Sequence, residues 1–148
     1  MTSPISSLEV KLETGSYGRT VIARLKPNED LVESLEHLCV QYGIGRAVVR
    51  SAVGSLIDGH LASGTDALLV TQVVKGPGVE IVGLFGEVAV GKADQRQDAS
   101  GTRATELTAI LSGTDSQVFA GRVVRGMNLS FITVEVTLQE WLADGNVV

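Results

Sequence analysis

The stretch RLKPNEDLVESLEHLCVQYGI, from Arg24 to Ile44, decides the fold. Pro27 closes an extended run, and Asn28 offers a side-chain oxygen to cap a helix. The first turn of that helix carries Glu29 and Asp30, acids suited to the positive end of a helix dipole. At 100° per residue, Leu31, Val32, Leu35, Leu38, Cys39 and Tyr42 fall within an arc of roughly 120°. Glu33, His37 and Gln41 face away, and Gly43 stops the run. The pattern predicts one amphipathic helix over about residues 29–42.

Outward from the helix, the remaining sequence reads as sheet. Upstream, Leu8, Val10 and Leu12 alternate with Glu9, Lys11 and Glu13 until Gly15 to Gly18 interrupts them, which predicts a strand and a turn. A second strand covers Thr20 to Lys26, and the small polar residues 1–7 read as a frayed end. Downstream, β-branched runs recur between glycines at Ala47 to Val53, Leu68 to Val74, Val79 to Val90, Thr105 to Leu111, Val118 to Val124 and Leu129 to Leu138. One helix against seven or eight strands is an α+β pattern. Without a second long helical period, alternating βαβ units and a nucleotide crevice are excluded. The polar stretch Gly91 to Gly101 reads as a loop. The continuous apolar run Val79 to Phe85 calls for cover on both sheet faces. With a single helix available, a neighbouring subunit would supply the second cover.

The chain has 148 residues and 15.5 kDa, 44% apolar and 20% charged, which fits one globular domain over residues 1–148 rather than a two-domain enzyme. The formal charge of −5 argues against a surface devoted to nucleic acid or anionic membrane, leaving open only a local basic patch. Cys39 has no internal partner, so a disulfide scaffold and a Cys-rich zinc site are excluded, and a reducing compartment follows. No signal-peptide run and no stretch of ~18 apolar residues occurs, so the expected location is cytoplasmic, without membrane contact.

Four strings resemble, in order, the plant- and prokaryote-conserved (PPC, or PCC) domain over roughly residues 20 to 142. They are the Arg24–Ile44 stretch, with Asn28 at a glycine position; AVVRSAVGSLIDGHLA from Ala47, with Ala52 where a glycine is usual; VEIVGLFGEV from Val79; and ELTAILSGTDSQVFAGRVVRGMNLSFITVEVTL from Glu106 to Leu138. The chain is similar to stand-alone bacterial members. The resemblance implies a small α+β domain assembling as a homotrimer in a family commonly given a DNA-binding label. In plant members that label rests largely on an AT-hook, an Arg-Gly-Arg-Pro segment absent from this sequence. Prokaryotic members often carry a His-x-His on the strand after the long loop and a further histidine on the next strand, a set resembling a metal site. Here those positions hold Glu106, Thr108 and Arg122.

Period-two geometry puts Glu106, Thr108 and Ile110 on one face of their strand, and Arg122 on the same side as Ala120 and Val118 in the next, so that the polar groups cluster. Arginine has no lone pair for a cation but binds a carboxylate well, so an Arg122–Glu106 ion pair is expected in the volume of the lost metal, against two unrelated solvated side chains. Glu135, matching a family glutamate, is expected in the same pocket or at a subunit contact, the alternative being an exposed strand acid. His37 and His60 lack partners at ligand spacing. Cys39 reads as a small buried hydrophobe, and Trp141 as core or interface packing. Lys92, Arg96, Arg103 and Arg125 are candidate phosphate contacts, although Lys92 to Arg125 carries five bases against four acids. No nucleophile elbow, phosphate loop or acid–base set is legible, and no metal or cofactor is expected. The expected function is therefore a non-catalytic homotrimeric module, regulatory or DNA-associating as the resemblance implies. The alternative is a small-metabolite-binding trimer derived from a metal-binding ancestor that lost its histidines; an enzyme with an unusual site ranks last.

Overall fold

The computed structural model describes residues 10–90 and 104–147. Strand β1 (Glu13–Leu25) leads to helix α1 (Leu31–Gln41), followed by β2 (Arg46–Leu56), β3 (Gly59–Ser63), β4 (Val70–Val74), β5 (Val79–Ala89), β6 (Glu106–Ser112), β7 (Val118–Val123) and β8 (Ser130–Val147). A single 3-10 turn, Asp66–Leu68, precedes β4. The strands form one sheet ordered β1-β8-β2-β5-β6-β7-β3-β4, antiparallel at every pairing. The α+β expectation of one main helix and an antiparallel sheet is met.

The helix lays its apolar stripe on one sheet face. Leu31, Val32, Leu35 and Cys39 are buried against Leu25, Val49, Leu84, Val88, Val134, Val136 and Leu138. Burial of this kind contributes about 1.5–3 kcal/mol per large aliphatic side chain. The cap differs from the sequence reading. Asp30, in extended backbone, accepts the Glu33 N–H at 3.0 Å, making it the N-cap. Asn28 lies two residues too early and takes a left-handed φ of 67°, a conformation asparagine tolerates well. Tyr42, expected on the apolar arc, is the C-cap and is exposed. Gly43 follows at φ 67° and ends the helix as expected.

The predicted strand and turn before Thr20 are instead one irregular strand. β1 runs through Gly15 and Gly18 with register shifts at Glu13/Gly15 and Tyr17/Thr20. These glycines permit close approach to β8 rather than a reversal. A Cβ on Gly15 would sit 2.4 Å from the Leu142 carbonyl oxygen and 2.7 Å from the Trp141 ring; one on Gly18 would sit 2.5 Å from the Glu140 carboxylate. Val10 to Leu12 lie outside any strand, and the expected frayed residues 1–7 lie outside the described residues. β3 lies around His60, where the sequence predicted no strand, and pairs with both β4 and β7.

The entry to β8 is fixed by polar groups inside the core. Asn128, 1% exposed, donates its amide to the His60 and Val124 carbonyls and accepts the His60 N–H at 2.9 Å. Its own backbone N–H reaches Asp30 Oδ1 at 3.1 Å, so the helix cap and the β8 entry share one carboxylate. Ser130 Oγ donates to the Lys26 carbonyl and accepts the Glu29 N–H. Further along β8, Glu140 accepts from the Arg19 guanidinium at 3.2 and 3.1 Å and from the Arg19 backbone N–H at 3.2 Å. Those side-chain hydrogen bonds hold the Glu140 carboxyl below its ordinary range, against the opposing effect of burial.

Gly15→Ala should cost about 2–3 kcal/mol in urea denaturation, since the added methyl meets backbone and indole that cannot both move. Gly43→Ala, with nothing within 4 Å of the new carbon, should cost only about 1 kcal/mol for its left-handed backbone. Equal losses would refute the close-approach account of Gly15. Glu140 has a lowered folded pKa, so its stabilisation is complete above the unfolded value of about 4.3 and disappears as pH falls through the folded value. Because Arg19 is largely exposed, Glu140→Gln should cost only about 1 kcal/mol at pH 7. Chemical denaturation between pH 7 and 3 should show the wild-type advantage shrinking toward acid.

Candidate functional site

On the sheet face turned away from the helix, cross-strand register assigns neighbours. Leu107, Ala109 and Leu111 are buried toward α1, so Glu106, Thr108 and Ile110 point to the opposite face, as period two predicts. One row runs Phe85, Thr108, Arg122, Ala62 and Thr71 across β5, β6, β7, β3 and β4. A second runs Thr20, Gln139, Val48, Glu87 and Glu106 across β1, β8, β2, β5 and β6. Glu135 belongs to a third row, between Arg24 and Val53.

The expected Arg122–Glu106 pair is not formed within the chain. Arg122 lies opposite Thr108, and its Nη2 donates to the Gly64 carbonyl at 2.8 Å. Glu106 lies directly opposite Glu87. A one-pair offset in register, invisible in the sequence, thus sets two carboxylates side by side and moves the arginine to the hydroxyl. Glu135 sits three strands from Glu106 in the sheet order and pairs with Arg24 at 3.0 Å, both partners largely solvated. Thr108 and Arg122 are brought together; Glu106 adjoins them along β6, and Glu135 does not.

The donor set also decides the metal question. Glu106 supplies one carboxylate, Thr108 a weak hydroxyl ligand and Arg122 no lone pair at all. Among the described residues, no group of three or more His, Cys, Asp or Glu is arranged to hold an ion. The histidine-built site implied by the resemblance does not fit these side chains.

A stronger polar cluster, missed in the sequence, lies at the end of the same face. The Arg46 guanidinium, whose side chain is 11% exposed, bonds Glu13 through Nη1 and Glu87 through Nη2, the latter at 3.1 Å. Trp141 Nε1 donates to Glu13 Oε1 at 2.9 Å, and Arg46 also lies over the indole, 5.9 Å from its centroid. Tyr17 meets the indole edge-on at 5.6 Å. The cluster ties β1, β2, β5 and β8 together and borders a cavity of 340 Å³ lined by Gly43, Gly45, Glu140 and Leu142. Its sequence signals were an arginine at a strand start and acids far away along the chain, which no spacing rule connects.

Of the candidate phosphate contacts, Lys92, Arg96 and Arg103 lie outside the described residues. Arg125 is engaged by Glu36 of the helix, whose other oxygen accepts from Thr105. His37 is exposed on the helix, and His60 is half-buried in β3. Cys39 is fully buried beneath the helix; desolvation, with Glu36 and Glu140 adding, pushes its thiol up to about 11, so it is an inert packing group at neutral pH. No helix among the described residues is long and apolar enough to cross a membrane.

Three solved structures share this architecture. A plant- and prokaryote-conserved protein from Pyrococcus horikoshii is 21% identical, covering 86% of this chain and 82% of its own, with a TM-score of 0.68. A metal-containing protein from Archaeoglobus fulgidus is 21% identical, covering 90% and 87%, with a TM-score of 0.70. A candidate DNA-binding protein from Bacteroides thetaiotaomicron is 14% identical, covering 85% and 83%, with a TM-score of 0.65. At such identities the likeness shows the fold. Comparison with curated proteins found no match. The model of the Plants and Prokaryotes Conserved (PCC) domain matches residues 12–142, nearly the whole of the sheet and its helix, and the chain belongs to that family.

Proposed function

We propose that this protein is a non-catalytic, homotrimeric binding module whose bare sheet face packs against neighbouring copies. The observation that carries the reading is the asymmetry of the sheet. One face is closed by α1, while the other exposes Val53 (71%), Phe85 (52%), Ile22 and Val118. Apolar groups spread over one face of a single-helix domain suit burial by another copy. The threefold number comes from the family resemblance.

What such a trimer binds is favoured by Arg122. It spends one hydrogen bond on Gly64 and presents the rest of its five donors beside the Thr108 hydroxyl and the Glu106 carboxylate. That set suits a small polar molecule with a carboxylate or carbonyl at one end and a hydroxyl or amine at the other, a ligand of regulatory rather than catalytic use. The second reading, DNA association, is favoured by the description of the Bacteroides relative. Against it, among the described residues Arg19, Arg24, Arg46 and Arg125 are each matched by a carboxylate, which reduces the positive field they offer to phosphates.

Light scattering after gel filtration should return three times the chain mass. Val53→Asp with Phe85→Asp should shift it to the monomer while the far-ultraviolet circular dichroism stays unchanged. A wild-type monomer would refute the assembly. A thermal-shift screen of small carboxylates, amino acids and duplex DNA separates the ligand readings. Pocket binding should raise the melting temperature with little salt dependence and be lost in Arg122→Ala, whereas DNA binding should weaken steeply with added salt.

A further inference from the structure

The two edges of the sheet are not alike. β1, the first strand in the order, carries Arg19 and Arg24, charges of the kind that discourage edge pairing. β4, the last, is Val-Thr-Gln-Val-Val and has no charge. Its Val70 is 61% exposed, Val73 is exposed as well, and Leu68 and Leu69 just before it are exposed too. An edge strand keeps half of its N–H and C=O groups pointing outward, so β4 offers an open ladder with apolar side chains beside it and nothing to repel a partner.

The same chain has a segment suited to fill it. From Leu8 to Leu12 the sequence alternates apolar Leu8, Val10 and Leu12 with charged Glu9 and Lys11. Val10, 69% exposed, and Leu12 have no strand partner within the chain. The segment leads into β1, at the far edge from β4. Seven inter-strand steps of about 4.8 Å put roughly 34 Å of sheet between the two edges, whereas five extended residues span about 17 Å. The acceptor must then be β4 of another copy. The lengths match, five residues against the five of β4. In full five-to-five register, Leu8, Val10 and Leu12 would share a face with Val70, Gln72 and Val74, and Glu9 and Lys11 would share the other with Thr71 and Val73.

We infer that residues 8–12 of one copy add as a strand to the β4 edge of the next copy, in head-to-tail order around the assembly. This rests on the homotrimer proposed above and names a second contact within it.

The test uses the full chain carrying Val10→Cys and Gln72→Cys, the middle residues of the two segments, bridged by a short bis-maleimide; native Cys39 is buried and stays unreacted. Denaturing gels should show covalent dimers and trimers of the chain. A band at monomer mass only, including one cross-linked within a chain, overturns the inference. Light scattering on the uncross-linked sample tells the two failures apart: a trimer that does not cross-link refutes the strand addition alone, and a monomer refutes the assembly beneath it. Independently, Val10→Asp with Leu12→Asp, both outside the folded sheet, should raise the protein concentration at which the trimer dissociates by about tenfold or more, the equivalent of about 1.4 kcal/mol. An unchanged dissociation midpoint would count equally against the inference.

Discussion

The seam that β8 makes with β1 on one side and β2 on the other governs the rest of the molecule. Val134, Val136 and Leu138 of β8 are all fully buried toward the helix. Because side chains alternate strictly, a slip of one residue would turn all three outward and bring Glu135, Thr137 and Gln139 into the core. The penalty for that slip fixes the register of β8, and β8 then fixes both of its neighbours, β1 and β2. Asn128 and Ser130 hold the start of the strand at its proper height. An Asn128 whose side-chain amide meets His60 and whose backbone N–H meets Asp30 cannot be satisfied in a shifted frame, and an unsatisfied buried polar group costs about 1–3 kcal/mol.

The same register distributes charge on the opposite face. Arg24 falls beside Glu135, Arg46 between Glu13 and Glu87, and, on the helix side, Arg19 on Glu140. These pairs differ in worth. Arg24–Glu135 is exposed at both ends and contributes little. Arg46 is largely withdrawn from water, with two carboxylates and an indole around it, so removing the guanidinium would take the positive charge from beside two half-buried acids. Arginines committed in this way shape the sheet rather than create a basic surface. Arg122 differs from these three in that its hydrogen bond goes to a carbonyl, which neutralises none of its charge.

Much of the fold was legible because it rests on local periodicity. The helix, its glycine stop and the strands after Gly45 other than β3 each followed from residues a few positions apart. The predicted seven or eight strands conceal two opposite errors: β1 was divided at Gly15–Gly18, and β3 was missed around His60. Both concern glycines whose role is set by a distant strand, Trp141 and Leu142 for Gly15, and Val74 with Leu111 for Gly59. A turn and a tight inter-strand approach have the same local signature. The site was less legible for a related reason. Which face Glu106, Thr108 and Arg122 share follows from alternation, but which of them lie opposite each other follows from where β6 and β7 start pairing. Asn128 and Arg46, the best-connected polar groups, gave no local signal because every partner of their side chains but Val124 is far away in sequence.

The two proposed contacts constrain one another. A strand added to an edge by its neighbour is a heterologous contact, and repetition of such a contact gives either a closed ring or an open filament, according to the rotation between copies. Edge addition alone leaves that rotation weakly determined, since a twisted sheet can simply continue. Burial of the bare face changes this, because Val53 and Phe85 lie at least two strands inward from either edge and can be covered only if the copies turn toward a common axis. In the proposed trimer the face sets the angle and the arm sets the order. A chargeless β4, hazardous in an isolated domain, is then tolerable, because its open ladder is occupied whenever the ring is closed.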